Sequence, residues 1–352
     1  MKMRGNDPMT MKSTRRWALA SGTLAVLTSI LFSTAGGAAP RERLREGIAA
    51  PARPGPGKAR DFGSSGLWSR AGDGTNVLRD LHATRAMDLI QIRTPRSKPL
   101  LIEDVSADRV RHFLDIYDQK KKPTVSNLTV QRIQAGFTKR GIRLRYGSNG
   151  IVIRDFRLTH LGPNRFQGDI PVGIGMLDDV HNVLVERGVI ENVLTELPNQ
   201  KKYWNADGIS MERRVHDVVL RDLVIRNCSD GGIDSKATNV VIDRVRVEGC
   251  TRSLRLWEDA KIGTFESIDP VKHGGTGSAA HIGLYNGVSN VTIGKLVVRS
   301  TKPTPIFLME SKTPATVVVD SQDIRAPKGT PLVGGTHADL LKVIWKSGPP
   351  RL

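Results

Sequence analysis

The chain has 352 residues, of which 39% are hydrophobic and 25% charged, and its formal net charge is +18. This balance fits a soluble globular protein and excludes an intrinsically disordered one. Aromatic residues make up only 5% while Val, Ile and Gly are common, so many short strands and turns are expected. A repeat architecture lengthens by adding rungs, and the length therefore does not call for a second domain.

Residues 1–39 read as a signal peptide. Lys12, Arg15 and Arg16 precede the apolar run Trp17 to Phe32, and small residues from Ser33 to Ala39 follow, the order of charged, apolar and cleavage regions in export signals. The apolar run is 16 residues long, short of the about 20 needed to span a bilayer. A secreted or periplasmic protein is expected, with no stable membrane insertion after signal cleavage; an uncleaved anchor is the alternative. Residues 40–60 contain four Pro and no apolar periodicity, as in a linker. Residues 61–125 are assigned to an N-terminal cap with irregular first coils, 126–320 to a regular repeat and 321–352 to a C-terminal cap or tail. Removing residues 1–39 takes away five basic residues and one acidic residue and leaves +14. Such a charge attracts anionic partners. An acidic polysaccharide suits an exported protein. Nucleic acid is not expected, because the basic residues are scattered and no nucleic-acid-binding signature appears. The chain is expected to act as a monomer.

From Ser126 onward one pattern recurs: SNLTVQRI, NGIVIRDFRL, HNVLVERGVI, HDVVLRDLVI, TNVVIDRVRV and SNVTIGKLVV. Their second residues are 127, 150, 182, 217, 239 and 290, with a minimum spacing of 22. A shorter apolar motif precedes most copies: GIRL from Gly141, GIGM from Gly173, GISM from Gly208, GIDS from Gly232, SLRL from Ser253 and HIGL from His281. Alternation argues for strands, and a fixed minimum period with insertions argues for a solenoid of strands. The fold class is all-β, a single-stranded parallel β-helix with coils of about 22–24 residues and three short strands per coil. The chain resembles the pectate-lyase-like right-handed β-helix superfamily over roughly Asn127 to Ser311. Cys228 and Cys250 end matching strands and are expected one above the other, either bridged or as stacked buried thiols.

Side chains alternate across a strand. If Ile209, Ile233, Leu254 and Ile282 point inward, two outward columns follow. One runs Arg143, Gly175, Ser210, Asp234, Arg255, Gly283. The other runs Arg145, Leu177, Glu212, Lys236, Trp257, Tyr285. Asp207 and Asp230 border the same face. Insertions at Thr159 to Val172, Leu194 to Ala206 and Pro270 to Ala280 are expected to wall it into a groove. The second carries Lys202 and Trp204, and the third brings His273 and His281 to the groove's edge.

These residues match the needs of β-elimination on a polyuronate. A base removes the proton beside the sugar carboxylate and the neighbouring glycosidic oxygen leaves. The carboxylate must first be neutralised by a cation or an arginine. Lys236 is the candidate base and Arg255 its partner; Asp207, Asp230 and Asp234 are candidate hard oxygen ligands for Ca2+; Glu212, Trp204, Trp257, Tyr285 and Lys202 are candidate substrate contacts. The resemblance implies a similar arrangement. One β-helix lyase family binds calcium through an Asp and a following D-D-G-x-D cluster. Here Asp207 and D-G-G-I-D at 230–234 match it, with Gly231 in place of one ligand. Another family uses a Lys and an Arg on successive coils, as Lys236 and Arg255 stand here. The polygalacturonase-like glycoside hydrolases have N-T-D-G, then a D-D pair, then G-H-G. NADG at 205–208 and Asp230 match in part, while Gly231 replaces the second Asp and the histidine is missing. Hydrolysis by Asp207 and Asp230 is the alternative, and a non-catalytic carbohydrate-binding or structural β-helix is a further one.

Overall fold

The computed structural model describes residues 59–63, 67–69, 76–163, 170–198 and 202–352. The expected signal peptide and nearly all of the linker lie outside the described residues, as do parts of two expected groove walls (164–169 and 199–201). The described residues form a parallel β-helix and contain no α-helix. In the middle coils a five-residue strand is followed by a longer one. Asp207–Met211 leads to His216–Arg226, Gly231–Ser235 to Thr238–Glu248, and Arg252–Leu256 to Ala260–Ile268. Each strand pairs in parallel with its counterpart in the next coil, as in Val218 with Val240 and Ile233 with Leu254. Alternation sinks Val218, Leu220, Val240 and Ile242 into the core, and each such side chain contributes about 1.5–3 kcal/mol by leaving water.

The longer strand is bent at three points five residues apart. Asn182, Arg187 and Asn192 have left-handed backbone, as do Asp217, Asp222 and Asn227, and then Asn239, Arg244 and Gly249. These corners divide each coil into three faces, which is how three short strands are realised. Asn, Asp and Gly accept this conformation at low cost. The amides also stack, with Asn227 donating to Asn192 at 3.1 Å. At the middle corner Arg187 and Arg244 lack a small side chain and are held by ion pairs to the coil before. Arg187 meets Asp155 at 2.7 Å and Arg244 meets Asp222 at 2.6 Å.

The glycine opening each short strand answers a break in the alternation. A Cβ on Gly232 would lie 2.4 Å from Val247 Cγ1 and 2.7 Å from the Ser253 carbonyl oxygen, so this position faces the core together with Ile233. The next two coils place Ser253 and His281 there. Ser267 bonds both, at 2.7 Å to Ser253 Oγ and 2.6 Å to His281 Nδ1. His281 is fully buried and burial lowers its pKa to about 4. It therefore belongs to the core and not to the edge of the groove, contrary to strict alternation. His273 is likewise committed, with Nε2 2.7 Å from the Gly249 carbonyl oxygen.

Coils also extend on either side of 126–320. Val77–Ile92 pairs with Leu100–Ile116, which pairs with Leu128–Leu144. At the other end Leu341–Trp345 pairs with Ala315–Arg325, and the Trp345 ring meets Phe307 at 6.0 Å. Cys228 and Cys250 are buried free thiols stacked in the core, and the Cys228 N–H donates to Cys250 Sγ at 3.3 Å.

Candidate functional site

The short strands make one rigid face. Its register runs Asp115, Arg143, Gly175, Ser210, Asp234, Arg255, Gly283. One residue beyond the strands, the column Leu177, Glu212, Lys236, Trp257, Tyr285 follows, each N–H donating to the preceding coil. Stacked coils thus bring together side chains that are far apart in sequence, and Lys236 and Arg255 come from adjacent coils.

 Strand-to-strand stacking, not proximity in sequence, assembles the charged group around Asp230 and Asp234.

Asp230 lies at the centre and is 1% exposed. Its Oδ1 accepts from Tyr203 Oη at 2.5 Å and from Arg252 Nη1 at 2.9 Å, and its Oδ2 from Arg255 Nη1 at 2.6 Å. Burial raises the Asp230 pKa, and Arg255 and Arg252 oppose that rise without cancelling it. Asp234 accepts from Trp257 Nε1 at 2.7 Å and meets Lys236 Nζ at 3.1 Å and Arg255 Nε at 3.6 Å. Asp207 is equally buried and accepts the Gly231 N–H at 2.8 Å. Burial, then the charges of Asp230 and Asp234, push its pKa well up, so Asp207 is the carboxyl of this group that favours holding a proton.

The other expected site residues fall around this cluster. Lys236 Nζ bridges Asp234 and Glu212, the latter at 2.8 Å. Burial works to lower its pKa but is outweighed by Asp234 and Glu212, and the net shift is upward. Trp257 and Tyr285 stack on each other with centroids 4.5 Å apart, and the Arg255 guanidinium lies 5.5 Å and 5.2 Å from their rings, within cation–π range. Lys236, Glu212, Trp257 and Tyr285 keep partial exposure and form the accessible rim. Trp204 stands apart from them. It packs on the backbone of the 270–280 loop, where a Cβ on Gly274 would lie 2.5 Å from its ring. The Lys202 carbonyl oxygen accepts the Thr276 N–H at 3.2 Å while its side chain is exposed. Two expected groove walls are thus joined to each other over Asp230 and Arg252.

The donor set of Asp207, Asp230 and Asp234 does not fit a calcium ion. Calcium takes six to eight oxygen ligands. Here Asp230 is taken by two arginines and a tyrosine, and Asp234 by an indole N–H and an ammonium. The positive charge that a cation would supply is supplied by Arg252, Arg255 and Lys236.

The sequence does not single out Arg252, and it places Tyr203 only in the second groove wall, with no link to Asp230. Arg252 sits just before the break in alternation, and Tyr203 reaches Asp230 from a loop 27 residues away. A second charged group on the same face was also missed. Asp88 pairs in register with His112 and His112 with Arg140, and Asp115 pairs with Arg143. Arg143 holds Asp115 through two bonds of 2.6 Å. A cavity of about 480 Å3 opens beside this group, and five Lys and Arg side chains among its lining outnumber Asp88, Asp115 and Asp118. A second cavity of about 550 Å3, lined by Lys122, Arg145 and Arg214 with Asp178 as its acid, shares Tyr117 and Gln119 with the first.

This geometry defines the chain as a parallel β-helix protein with a charged, partly walled face. Its fold is similar to that of an alginate lyase from Paenibacillus sp. str. FPU-7, with a TM-score of 0.48 and 10% identity over 81% of this chain and 91% of that one. It is also similar to a tailspike protein mutant of E. coli bacteriophage HK620 in complex with a pentasaccharide, with a TM-score of 0.43 and 12% identity over 82% of this chain and 59% of that one. The chain therefore spans about three fifths of the tailspike. No family model and no curated protein matches the sequence.

Proposed function

We propose that this protein is an exported enzyme that cleaves an acidic polysaccharide by β-elimination on the outward face of the short strands. The observation that carries this reading is the run of cationic groups along that face. Two adjoining cavities rich in Arg and Lys, sharing Tyr117 and Gln119, lie on the early coils of the face. The same face carries Lys236 at its rim and the buried Arg255 on the adjacent coil, both against Asp234. A polyuronate laid along the face meets arginines in the early coils and aromatic rings at Trp257 and Tyr285.

In this mechanism Arg255 neutralises the sugar carboxylate, with Arg252 and the buried aspartates fixing its position. Lys236 takes the proton beside that carboxylate. The electron pair of that C–H bond forms the new double bond, the bond between the ring and the glycosidic oxygen breaks, and the oxygen leaves with the bonding pair and takes a proton from water. Only the uncharged amine can act as base. Because Asp234 and Glu212 raise the Lys236 pKa, its active form is scarce at neutral pH and turnover climbs into the alkaline range.

One observation favours hydrolysis as the second reading. Asp207 holds a proton well above the ordinary carboxyl range, as a general acid must. That mechanism loses activity as pH rises through the Asp207 pKa, the opposite slope. A panel of acidic glycans followed for both ultraviolet absorbance and reducing ends separates the two. The lyase yields an absorbing unsaturated product for every new reducing end. Reducing ends without absorbance would remove the β-elimination reading, and no cleavage of any glycan would move the protein to a binding role.

A further inference from the structure

The early coils hold a second constellation that the cleavage chemistry does not use. Asp88, His112 and Asp115 each offer one ligand atom, and the three atoms lie within 4.8 Å of one another. Both carboxylates approach the same atom: His112 Nδ1 is 2.7 Å from Asp88 Oδ1 and 3.5 Å from Asp115 Oδ2. The His112 side chain is 4% exposed. Neither its ring nitrogens nor Asp88 Oδ1 has an aligned hydrogen-bond partner, although all three atoms are shielded from solvent. Orphaned polar atoms at this depth are costly, and two of them converge on one point.

We propose that Asp88, His112 and Asp115 form a binding site for a divalent transition-metal ion, with zinc the best match to the donors. Zinc bonds to imidazole nitrogen and carboxylate oxygen are about 2.1 Å long. At that length, ligand separations of 2.7 Å and 3.5 Å correspond to angles at the ion of about 80° and about 113°, the second near tetrahedral and the first closer to the right angle of a five-coordinate ion. The nitrogen ligand separates this site from one built for calcium or magnesium, which prefer oxygen alone. Arg143, bonded to both oxygens of Asp115, has the place of an outer partner that orients a metal-bound carboxylate. Three protein ligands leave a coordination position open, and the adjoining cavity of about 480 Å3 gives it access to an anionic group such as a sugar carboxylate. The site is independent of the cleavage mechanism proposed above.

The test uses the untagged full chain, stripped with a chelator and titrated separately with zinc chloride and manganese chloride by calorimetry, with elemental analysis of the dialysed protein. One zinc per chain is expected. Asp88→Asn and His112→Gln should each weaken binding by more than the about 10-fold to 100-fold that loss of a ligand's orienting partner alone costs. Asp234→Asn should leave the stoichiometry at one. Absence of zinc and manganese binding by the wild type would overturn the proposal and leave His112 as a hydrogen-bonding partner of Asp88. So would uptake that survives in Asp88→Asn, or uptake that is lost in Asp234→Asn. Circular dichroism shows which variants are folded, and Asp88→Asn decides the matter if His112→Gln does not fold.

Discussion

In the middle coils Asp230 is covered by Tyr203 and bonded to Arg252 and Arg255, and Asp234 is bonded to Trp257 and Lys236. On the same face in the early coils, Asp115 is bonded to Arg143, while Asp88 and His112 face each other without an aligned hydrogen bond and border an open cavity. Both regions bury carboxylates, which is unfavourable unless each is paired. The middle coils solve this internally with arginines and a loop-borne tyrosine. The early coils leave part of the pairing to something outside the chain. A face with uniform backbone register can therefore carry two chemistries, separated by the small surface of Gly175.

Arg255→Ala should have the largest effect. It removes the partner of Asp230 and Asp234 inside a buried cluster, and breaking such a pair costs about 3–5 kcal/mol. The denaturant midpoint should fall accordingly and cleavage should be lost. Lys236→Ala sharpens the contrast between cluster and rim. Its pair with Glu212 is partly exposed, and Asp234 keeps Trp257 and Arg255 as partners, so the loss of stability should be smaller than for Arg255→Ala, while turnover falls about 10²- to 10⁴-fold, the range for loss of a positioned base. Full turnover in this variant would remove Lys236 from the mechanism.

Gly175→Trp tests whether the two regions serve one long substrate. A Cβ there meets only ordinary contacts, at 3.7 Å and 3.9 Å, so the ring can project into the groove. Cleavage of long chains should fall about tenfold, equivalent to about 1.4 kcal/mol, with short oligosaccharides less affected. Equal loss for both lengths would break the link between the regions.

The buried aspartates also predict a pH dependence of folding. The folded-state pKa of Asp207 is raised above its ordinary value of 3.8. Its contribution is therefore most favourable below that value and is lost as pH rises from there through the folded-state pKa. Unfolding measured from acid to neutral pH should show this decline in the wild type, and Asp207→Asn should flatten it. The smallest effect belongs to the corner ladder. Arg187→Gly loses an ion pair to Asp155 but relieves a left-handed backbone, and the two changes, each about 1 kcal/mol, should nearly cancel.

The coil register was legible because apolar alternation and the positions of Asn127, Asn182, Asp217 and Asn239 repeat together, and these are corner residues with positive φ. That register places Asp234, Arg255 and their neighbours in one column. The ion-pair partners were less legible. Arg252 lies where two successive residues turn inward, so period-two counting misplaces it, and Tyr203 arrives from an insertion whose path has no periodic signal. The early group was hidden because its coils lack the Gly-Ile opening. Aligning Leu114 with Ile142, as the strands pair, would have put Asp115 in the column of Arg143 and exposed it.

Cleavage of a susceptible polyuronate in isotopically labelled water tests the central claim most directly. β-Elimination adds no water, so the account predicts unsaturated products without solvent oxygen at the cleaved bond and a rate that rises into alkaline pH. Saturated products carrying labelled oxygen would contradict it.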